Sequence, residues 1–406
     1  MEFFFNTVFY LLAIFISIPV LIFMLECWWA VIHKSAISSN PAPVNTSLNI
    51  ALLIPAHNES AEIRATLDGL KPLLNPEDRI IVVADNCSDD TAELARSCGA
   101  TVYERHNSEQ KGKGFALDFG LEQLSDDPPD VVIVVDADCR MRNGDIHRIA
   151  VLAHQQQVPI QSLYLMDTPS NPSPKDSVSA FAYLMRNLVR AYGLFKMGQP
   201  CLLTGTGMAF PWPIIRKASI ASNNIVEDMQ FGIDLAVAGH APKFCVESHV
   251  IGVFPSQLDA AKTQRTRWEH GHIQTLLTQV PRLLKAGFKQ KRMELAGLAL
   301  DLSVPPLSLL ILLLLASWVV CVVFGLVSQN FLPAAVLTLE GILMLFTLYL
   351  SWSSFCRERI PKETLWSIPS YFFWKLPVYA AFLFKRQKEW VRTDRDNESK
   401  DRSEVN

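Results

Sequence analysis

The sequence predicts an α/β domain with a doubly wound parallel sheet, flanked by transmembrane helices. Between residues 48 and 135, short apolar runs rich in β-branched residues alternate with helical patterns, as in sheets covered by helices on both faces. In addition, 50% of the 406 residues are hydrophobic and only 19% are charged, whereas soluble domains carry roughly 25% charged residues. The formal net charge of −3 argues against a nucleic-acid partner.

Three apolar segments are long enough to cross a membrane. The first, residues 3–32, follows a start without lysine or arginine, so we expect a retained anchor rather than a cleaved signal peptide. The other two, residues 304–327 and 331–355, form a predicted helical hairpin. Glu340 lies inside the last segment, where it is either a functional carboxylate or a hydrogen-bonding partner of a neighbouring helix.

Basic residues beside these spans predict their orientation. His33 and Lys34 follow the first span, and Lys289 and Lys291 precede the second. We therefore expect an integral membrane protein with a cytoplasmic main domain, in a bacterial inner membrane. The predicted divisions outside the spans are a linker at 33–47, a globular domain at 48–257, amphipathic interfacial helices at 258–297, an interfacial or re-entrant segment at 365–384, and a basic, then disordered, cytoplasmic tail at 385–406.

Polar residues cluster where the predicted strands end. Glu59 follows the first strand, Asp85 the second, and the pair Asp136 and Asp138 the fourth. Ligands of such sheets bind at the carboxyl ends of the strands, so these carboxylates mark a candidate site. The predicted strands span residues 48–55, 79–84, 101–103 and 130–135, and the predicted helices span 63–74, 91–98 and 115–124.

Asp136 and Asp138 are separated by a single alanine. Two carboxylates at this spacing can hold Mg²⁺ or Mn²⁺ and leave positions open for phosphate oxygens, although such pairs also occur as surface loop charges. No G-x-G-x-x-G follows the first strand, so a dinucleotide-type site is not predicted. The eight cysteines lack zinc-site spacing and are interpreted as scattered reduced thiols.

Three later motifs each allow two interpretations. Asp228 is either a general base or, with Glu227, a first-turn acid that stabilises a helix N-terminus. The loop Gly205-Thr206-Gly207 either lets a substrate approach the backbone or is simply a turn. In Gln264-x-x-Arg267-Trp268, the arginine can pair with phosphate and the tryptophan can pack on a sugar, or the segment forms a membrane-proximal face.

The order of four motifs resembles that of the membrane-bound inverting family 2 glycosyltransferases, which include cellulose, chitin and hyaluronan synthases and ceramide glucosyltransferases. The resemblance covers residues 49–275. It implies a GT-A fold, a nucleotide-sugar donor that is usually UDP-linked, and a divalent cation, Mg²⁺ or Mn²⁺. The four motifs are Pro55-Ala56-His57-Asn58-Glu59, Asp136-Ala137-Asp138, Glu227-Asp228 and Gln264-x-x-Arg267-Trp268.

The same resemblance implies a role for each residue. Asp228 would be the catalytic base of a single in-line displacement that inverts the anomeric carbon. Asp138 and Asp136 would hold the metal. The implied donor-binding residues are Ala56, Glu59, Asp85, Lys113, Asp136, Gln264 and Arg267, and the implied acceptor-binding residues are Gly205, Thr206, Gly207, Glu227 and Trp268.

Two features depart from the family pattern. Val226 precedes Glu227 where the family often has threonine, and three spans are fewer than many processive synthases have. The small number of spans would be explained by a lipid-linked or short glycan acceptor at the surface of the membrane lipid. It would also be explained by an oligomer or an export partner. The sequence is compatible both with a processive polysaccharide synthase and with a single-addition glycolipid synthase. The alternative from another class is a non-catalytic, membrane-tethered nucleotide-sugar-binding protein.

Overall fold

The computed structural model describes residues 2–35, 44, 46–167, 173–221, 226–254, 258–365, 368, 375, 377–379 and 382. Most of the predicted linker and of the segment 365–384, and the whole tail 385–406, lie outside the described residues. The chain divides into two compact units. The helical unit holds the described parts of residues 2–35, 173–199 and 272–382, and the globular unit holds those of residues 46–167 and 200–271.

The elements follow one another in a simple order along the chain. The helices are α1 (Glu2–Ile32), α2 (Ile63–Leu70), α3 (Thr91–Ser97), α4 (Lys113–Gln123), α5 (Asp145–Gln156), α6 (Pro174–Leu184), α7 (Ala191–Lys196), α8 (Trp212–Ile215), α9 (Glu227–Val237), α10 (Leu258–Gln290), α11 (Met293–Ser303), α12 (Leu307–Ser328) and α13 (Leu332–Ser351). The strands are β1 (Ile50–Ala56), β2 (Arg79–Asp85), β3 (Thr101–Arg105), β4 (Val131–Val134), β5 (Arg140–Met141), β6 (Ile160–Asp167), β7 (Met208–Pro211) and β8 (Lys243–Val253).

The strands form one eight-stranded sheet in the order β3-β2-β1-β4-β7-β6-β8-β5. The first four run parallel, which is the arrangement predicted. However, β7 runs antiparallel to β4 and β6, and β5 antiparallel to β8, so the strands beyond residue 135 do not all continue the parallel direction. A strand buried on both faces has the same apolar pattern in either direction, and the pattern therefore could not indicate the reversal.

The core of the globular unit lies on both faces of the sheet. Ile50, Leu52 and Ile54 of β1 pack on one face, while Ala51 and Leu53 pack on the other, and all five are fully buried. Because successive strand residues point to opposite faces, burial of both faces explains why β1 has a continuous apolar run instead of an alternating one. The first face is covered by α2 and α5, and the second by α4 and α9.

Among its described residues, the helical unit contains three helices that are long and apolar enough to cross a membrane: Asn6–Ile32, Leu307–Ser328 and Leu332–Cys356. Side chains on α1 and α13 form polar contacts with each other. Trp28 Nε1 donates to Thr347 Oγ1 over 2.7 Å, and Glu340 of α13 is buried. Both interpretations of Glu340 are compatible with this burial.

The helical unit also includes residues 173–199, which the sequence analysis assigned to the globular domain. Arg190 explains the difference. Its guanidinium is buried and pairs with Glu26 Oε2 and Asp301 Oδ1, each at 2.5 Å. Burial alone would lower the pKa of Arg190, but the two carboxylates outweigh it and raise the pKa. These partners lie more than 100 residues away along the chain, so no local pattern could indicate them.

Candidate active site

The candidate site begins at the carboxyl edge of three adjacent parallel strands. Ala56 ends β1, Asp85 ends β2, and Asp136 follows β4. Because β1 lies between β2 and β4, the parallel direction of the three strands brings these ends to one edge of the sheet. The topology thus groups the carboxylates that the sequence analysis selected.

Lys113 joins two of the predicted segments. It is the first residue of α4, and its ammonium forms an ion pair with Asp136 and donates to the Gly205 carbonyl oxygen over 2.8 Å. Burial alone would lower the pKa of Lys113, but the Asp136 and Glu227 carboxylates outweigh it and raise the pKa. The lysine therefore stays charged at this junction.

Asp228 lies at the same junction. A Cβ atom added to Gly205 would be 3.1 Å from Asp228 Oδ2 and 3.6 Å from Lys113 Nζ. Gly205 also has φ +94°, a conformation that glycine adopts without strain. Four residues predicted from separate motifs, Lys113, Asp136, Gly205 and Asp228, therefore meet in space.

The carboxylates after β4 have the chemistry of a hard-cation site. Ligand atoms of Asp136, Asp138 and Cys139 all lie within 4.8 Å of one another. Burial, followed by the two carboxylates, raises the pKa of the Cys139 thiol well above its ordinary value, so the sulfur is protonated and is a poor ligand for Mg²⁺ or Mn²⁺. Asp136 and Asp138 are thus the residues that fit such an ion.

The predicted acceptor loop is fixed by hydrogen bonds from inside the sheet. Thr206 is fully buried, and its hydroxyl accepts a 3.0 Å hydrogen bond from the Asp136 amide. The side chain thus positions Asp136, whereas the sequence analysis assigned Thr206 to acceptor binding. Gln161 of β6 donates to the Thr206 carbonyl and accepts from the Thr204 amide, both at 2.9 Å. Gln161 was missed, and its only signal is a polar residue inside an apolar strand.

Glu227 and Asp228 are the first two residues of α9. Burial and the adjacent Asp228 carboxylate raise the pKa of Glu227 to about 7, against the opposing effects of Lys113 and Arg267. The Glu227 carboxyl therefore carries a proton for part of the time at neutral pH. Lys113 and Arg267 surround this pair with positive charge.

The Gln264-x-x-Arg267-Trp268 motif lies on α10 within the globular unit. Gly271, one turn beyond Arg267, explains how α10 comes close to α9. A Cβ at Gly271 would be 2.5 Å from Val226 Cγ1, and Val226 directly precedes the acidic pair. Gln264 is buried, and within the described part of the chain its Oε1 has no hydrogen-bond partner, so it is available to a ligand donor.

The nucleoside end of the predicted site contains a buried ion pair. Asp85 Oδ1 pairs with Arg105 at 2.6 Å, and Arg105 also donates to the Gln110 carbonyl. Glu59 follows β1, and its amide donates to Thr91 Oγ1 over 2.8 Å. Sequence reasoning missed Arg105, because a basic residue at the end of a short strand ordinarily indicates a solvated charge.

We expect Gly271→Ala to reduce activity by disturbing the start of α9. The new methyl would overlap Val226 Cγ1, and overpacking of this kind costs about 1–3 kcal/mol. Gly69→Ala on α2 is the matched control, because a Cβ there meets nothing within 4 Å. The double variant Gly271→Ala/Val226→Ala should recover activity and apparent Tm. Equal losses in the single and double variants would contradict the contact.

The raised pKa of Glu227 predicts a pH-dependent stability. A carboxyl that binds its proton more tightly in the folded state contributes most below the unfolded pKa of 4.5, and that contribution is lost as pH rises through about 7. Wild-type apparent Tm should therefore fall relative to Glu227→Gln between these two pH values. A difference that stays constant from pH 4.5 to 7 would contradict the shift.

This fold and site define a glycosyltransferase with a GT-A fold. A model of glycosyl transferase family 2 matches residues 51–209, and a model of glycosyl transferase family group 2 matches residues 131–356, more than half of the chain. The chain therefore belongs to glycosyl transferase family group 2. The predicted family and enzyme class are confirmed.

Individual relatives have low sequence identity to this chain but align with more than half of it. The probable glycosyltransferase YdaM of Bacillus subtilis is 23% identical over 375 residues, which cover 86% of this chain and 88% of that protein. The poly-β-1,6-N-acetyl-D-glucosamine synthase of Staphylococcus aureus is 24% identical over 242 residues, which cover 56% of this chain and 55% of the synthase.

A solved structure has the same fold over nearly the whole chain. The mannosyltransferase PcManGT of Pyrobaculum calidifontis, determined with GDP-Man and Mn²⁺, has a TM-score of 0.56 at 16% identity, covering 93% of this chain and 100% of that one. At this identity the similarity shows the fold, and it confirms the predicted fold class.

Proposed function

We propose that the protein is a membrane-embedded, inverting glycosyltransferase that transfers a sugar from a nucleotide-sugar donor, UDP-linked in our proposal, to a glycan or lipid-linked acceptor. The observation that carries this proposal is the meeting of Lys113, Asp136, Gly205 and Asp228. One carboxylate lies beside a cation, and another lies beside a loop without side-chain bulk. The Lys113 ammonium provides positive charge for an anionic leaving group, and Asp228 provides a base next to it.

Asp228 acts as the general base. It accepts the proton of an acceptor hydroxyl while that oxygen attacks the anomeric carbon of the donor, and the bond from this carbon to the diphosphate oxygen breaks. Attack opposite the leaving group inverts the configuration. Glu227 precedes Asp228 at the start of α9 and hydrogen-bonds the acceptor.

The nucleoside diphosphate leaves with negative charge, which positive side chains stabilise. Lys113 is held at the junction by Asp136 and the Gly205 carbonyl, and Arg267 acts on the same acidic pair. Asp136 and Asp138 would hold Mg²⁺ or Mn²⁺, which when bound neutralises a diphosphate. Gln264 and Arg267 bind the diphosphate, and Trp268 packs on the acceptor sugar. Ala56, Glu59 and Asp85 contact the nucleoside.

The membrane arrangement is part of the proposal. Three helices of sufficient length and apolarity anchor the chain in a bacterial inner membrane, with the catalytic domain in the cytoplasm. The basic residues His33, Lys34, Lys289 and Lys291, which lie beside the first two spans, support this orientation. The three candidate spans among the described residues support a lipid-linked acceptor that receives single sugars over a polymer channel formed by one copy.

The test uses the full chain in detergent with radiolabelled UDP- and GDP-sugars, Mn²⁺ and total bacterial lipid. We expect one donor to label a lipid-extractable product, and NMR of its new linkage to show the β configuration from an α-linked donor. A long polymer would replace the single-addition proposal with the processive one. An α-linkage from an α-linked donor would contradict inversion.

A further inference from the structure

The buried face of α2 includes a polar side chain. The buried residues of this helix are Ile63, Thr66, Leu67 and Leu70. A threonine inside a helix often returns its hydroxyl to a carbonyl of its own helix. Thr66 is 3% exposed, and its hydroxyl instead donates to the Ala137 carbonyl oxygen over 2.7 Å, from a position 71 residues away along the chain. Ala137 separates the two carboxylates that fit a divalent cation, so this hydrogen bond connects α2 with their backbone.

The backbone around Ala137 forms a turn. The Cys139 amide donates to the Asp136 carbonyl oxygen over 3.1 Å, which closes a β-turn with Ala137 and Asp138 at its centre. The peptide group between the two central residues has opposite directions in turns of types I and II. Its oxygen is the one that Thr66 binds. The Thr66 hydroxyl therefore fixes the direction of this peptide group and, with it, the backbone conformation of Asp138.

A second buried hydroxyl holds the same turn from another element. Thr206, in the loop before β7, is fully buried and accepts from the Asp136 amide over 3.0 Å. Each threonine thus holds the peptide group that directly precedes one carboxylate, Thr206 for Asp136 and Thr66 for Asp138. Two carboxylates that share one cation must keep a fixed separation and direction, and hydrogen bonds of this kind provide it.

We propose that Thr66 is a positioning residue for a divalent cation, because its hydroxyl holds the turn in which Asp136 and Asp138 converge on Mg²⁺ or Mn²⁺. Ala137 is 4% exposed, so loss of the hydroxyl leaves a buried carbonyl oxygen without its donor and favours rotation of the peptide group. Removing a partner that orients metal ligands typically weakens metal binding by 10–100-fold. The inference rests on the metal site of the proposed function, and the two can fail separately.

The test compares variants that differ in the hydroxyl alone. Thr66→Val replaces the hydroxyl with a methyl group of similar size, whereas Thr66→Ser keeps it. Thr66→Cys has a weaker donor and takes the place of the valine variant if that variant does not fold. Ser248→Ala is the matched control, because the Ser248 hydroxyl is also fully buried and donates to a backbone carbonyl, that of Asp145, over 3.3 Å. Free Mn²⁺ is measured by electron paramagnetic resonance with the purified full chain and UDP, and apparent Tm is measured in EDTA.

We expect Mn²⁺ affinity to fall at least tenfold in Thr66→Val and by a smaller factor in Thr66→Cys. Thr66→Ser and Ser248→Ala should bind Mn²⁺ within about twofold of the wild type, although Ser248→Ala lowers apparent Tm as Thr66→Val does. Wild-type Mn²⁺ affinity in both the valine and the cysteine variants would overturn the inference, and so would an equal loss of affinity in Ser248→Ala. Absence of Mn²⁺ binding by the wild type would contradict the proposed metal site itself.

Discussion

Asp228→Asn is expected to reduce sugar transfer by about 10³-fold, because general base catalysis typically contributes 10²–10⁴-fold. Asparagine keeps the shape of the side chain but cannot accept the proton of the acceptor hydroxyl. Donor affinity should change by less than threefold, since Lys113, Asp136 and Arg267 are intact. The measurement is a single-turnover transfer rate with a parallel donor-binding titration.

Asp234→Asn is the matched control for this variant. Asp234 lies on α9 as well, and its carboxylate accepts from Gln230 at 3.1 Å, two turns away from the acidic pair. The control should retain wild-type turnover. A fully active Asp228→Asn enzyme would contradict the assignment of the base.

Asp138→Ala is expected to slow transfer on the order of 10²-fold and to weaken Mn²⁺ binding, because a metal that neutralises a leaving diphosphate is worth several kcal/mol. Asp138 differs from Asp136 in that Lys113 pairs with the latter. Removing Asp138 therefore removes a proposed metal ligand without breaking that ion pair.

The measurement is a Mn²⁺ titration in the presence of UDP, with Asp126→Ala as a control in an exposed loop. The control should bind Mn²⁺ like the wild type. Unchanged Mn²⁺ affinity in Asp138→Ala would show that Asp138 is not a ligand. Loss of affinity in both variants would indicate a general electrostatic effect of removing an acid.

Much of the site could be predicted because its residues lie next to strand ends. Asp85, Asp136 and Asp138 each follow a buried run, and a sheet with parallel strands brings such ends together. Lys113 and Asp228 required the family resemblance, since a lysine in a glycine-rich turn and an acid in a first helical turn have ordinary structural explanations. The structure then placed both beside Gly205.

The features that were missed depend on contacts between distant parts of the chain. Gly271 is needed only because Val226 approaches α10 at that point. Arg190 joins the helical unit only because Glu26 and Asp301 are available to it. The reversed direction of β7 leaves no mark on an apolar strand. None of these facts has a local periodicity or spacing that a single sequence could reveal.

The central claim is that the residues around Lys113, Asp136 and Asp228 catalyse metal-dependent sugar transfer. Its most direct test is nucleoside diphosphate release by the purified full chain, measured over a panel of UDP- and GDP-sugars with membrane lipid, with Mn²⁺ and then with EDTA. We predict release from one donor that EDTA abolishes and added Mn²⁺ restores. Release that continues unchanged in EDTA, or tight UDP binding without release from any donor and acceptor, would contradict it.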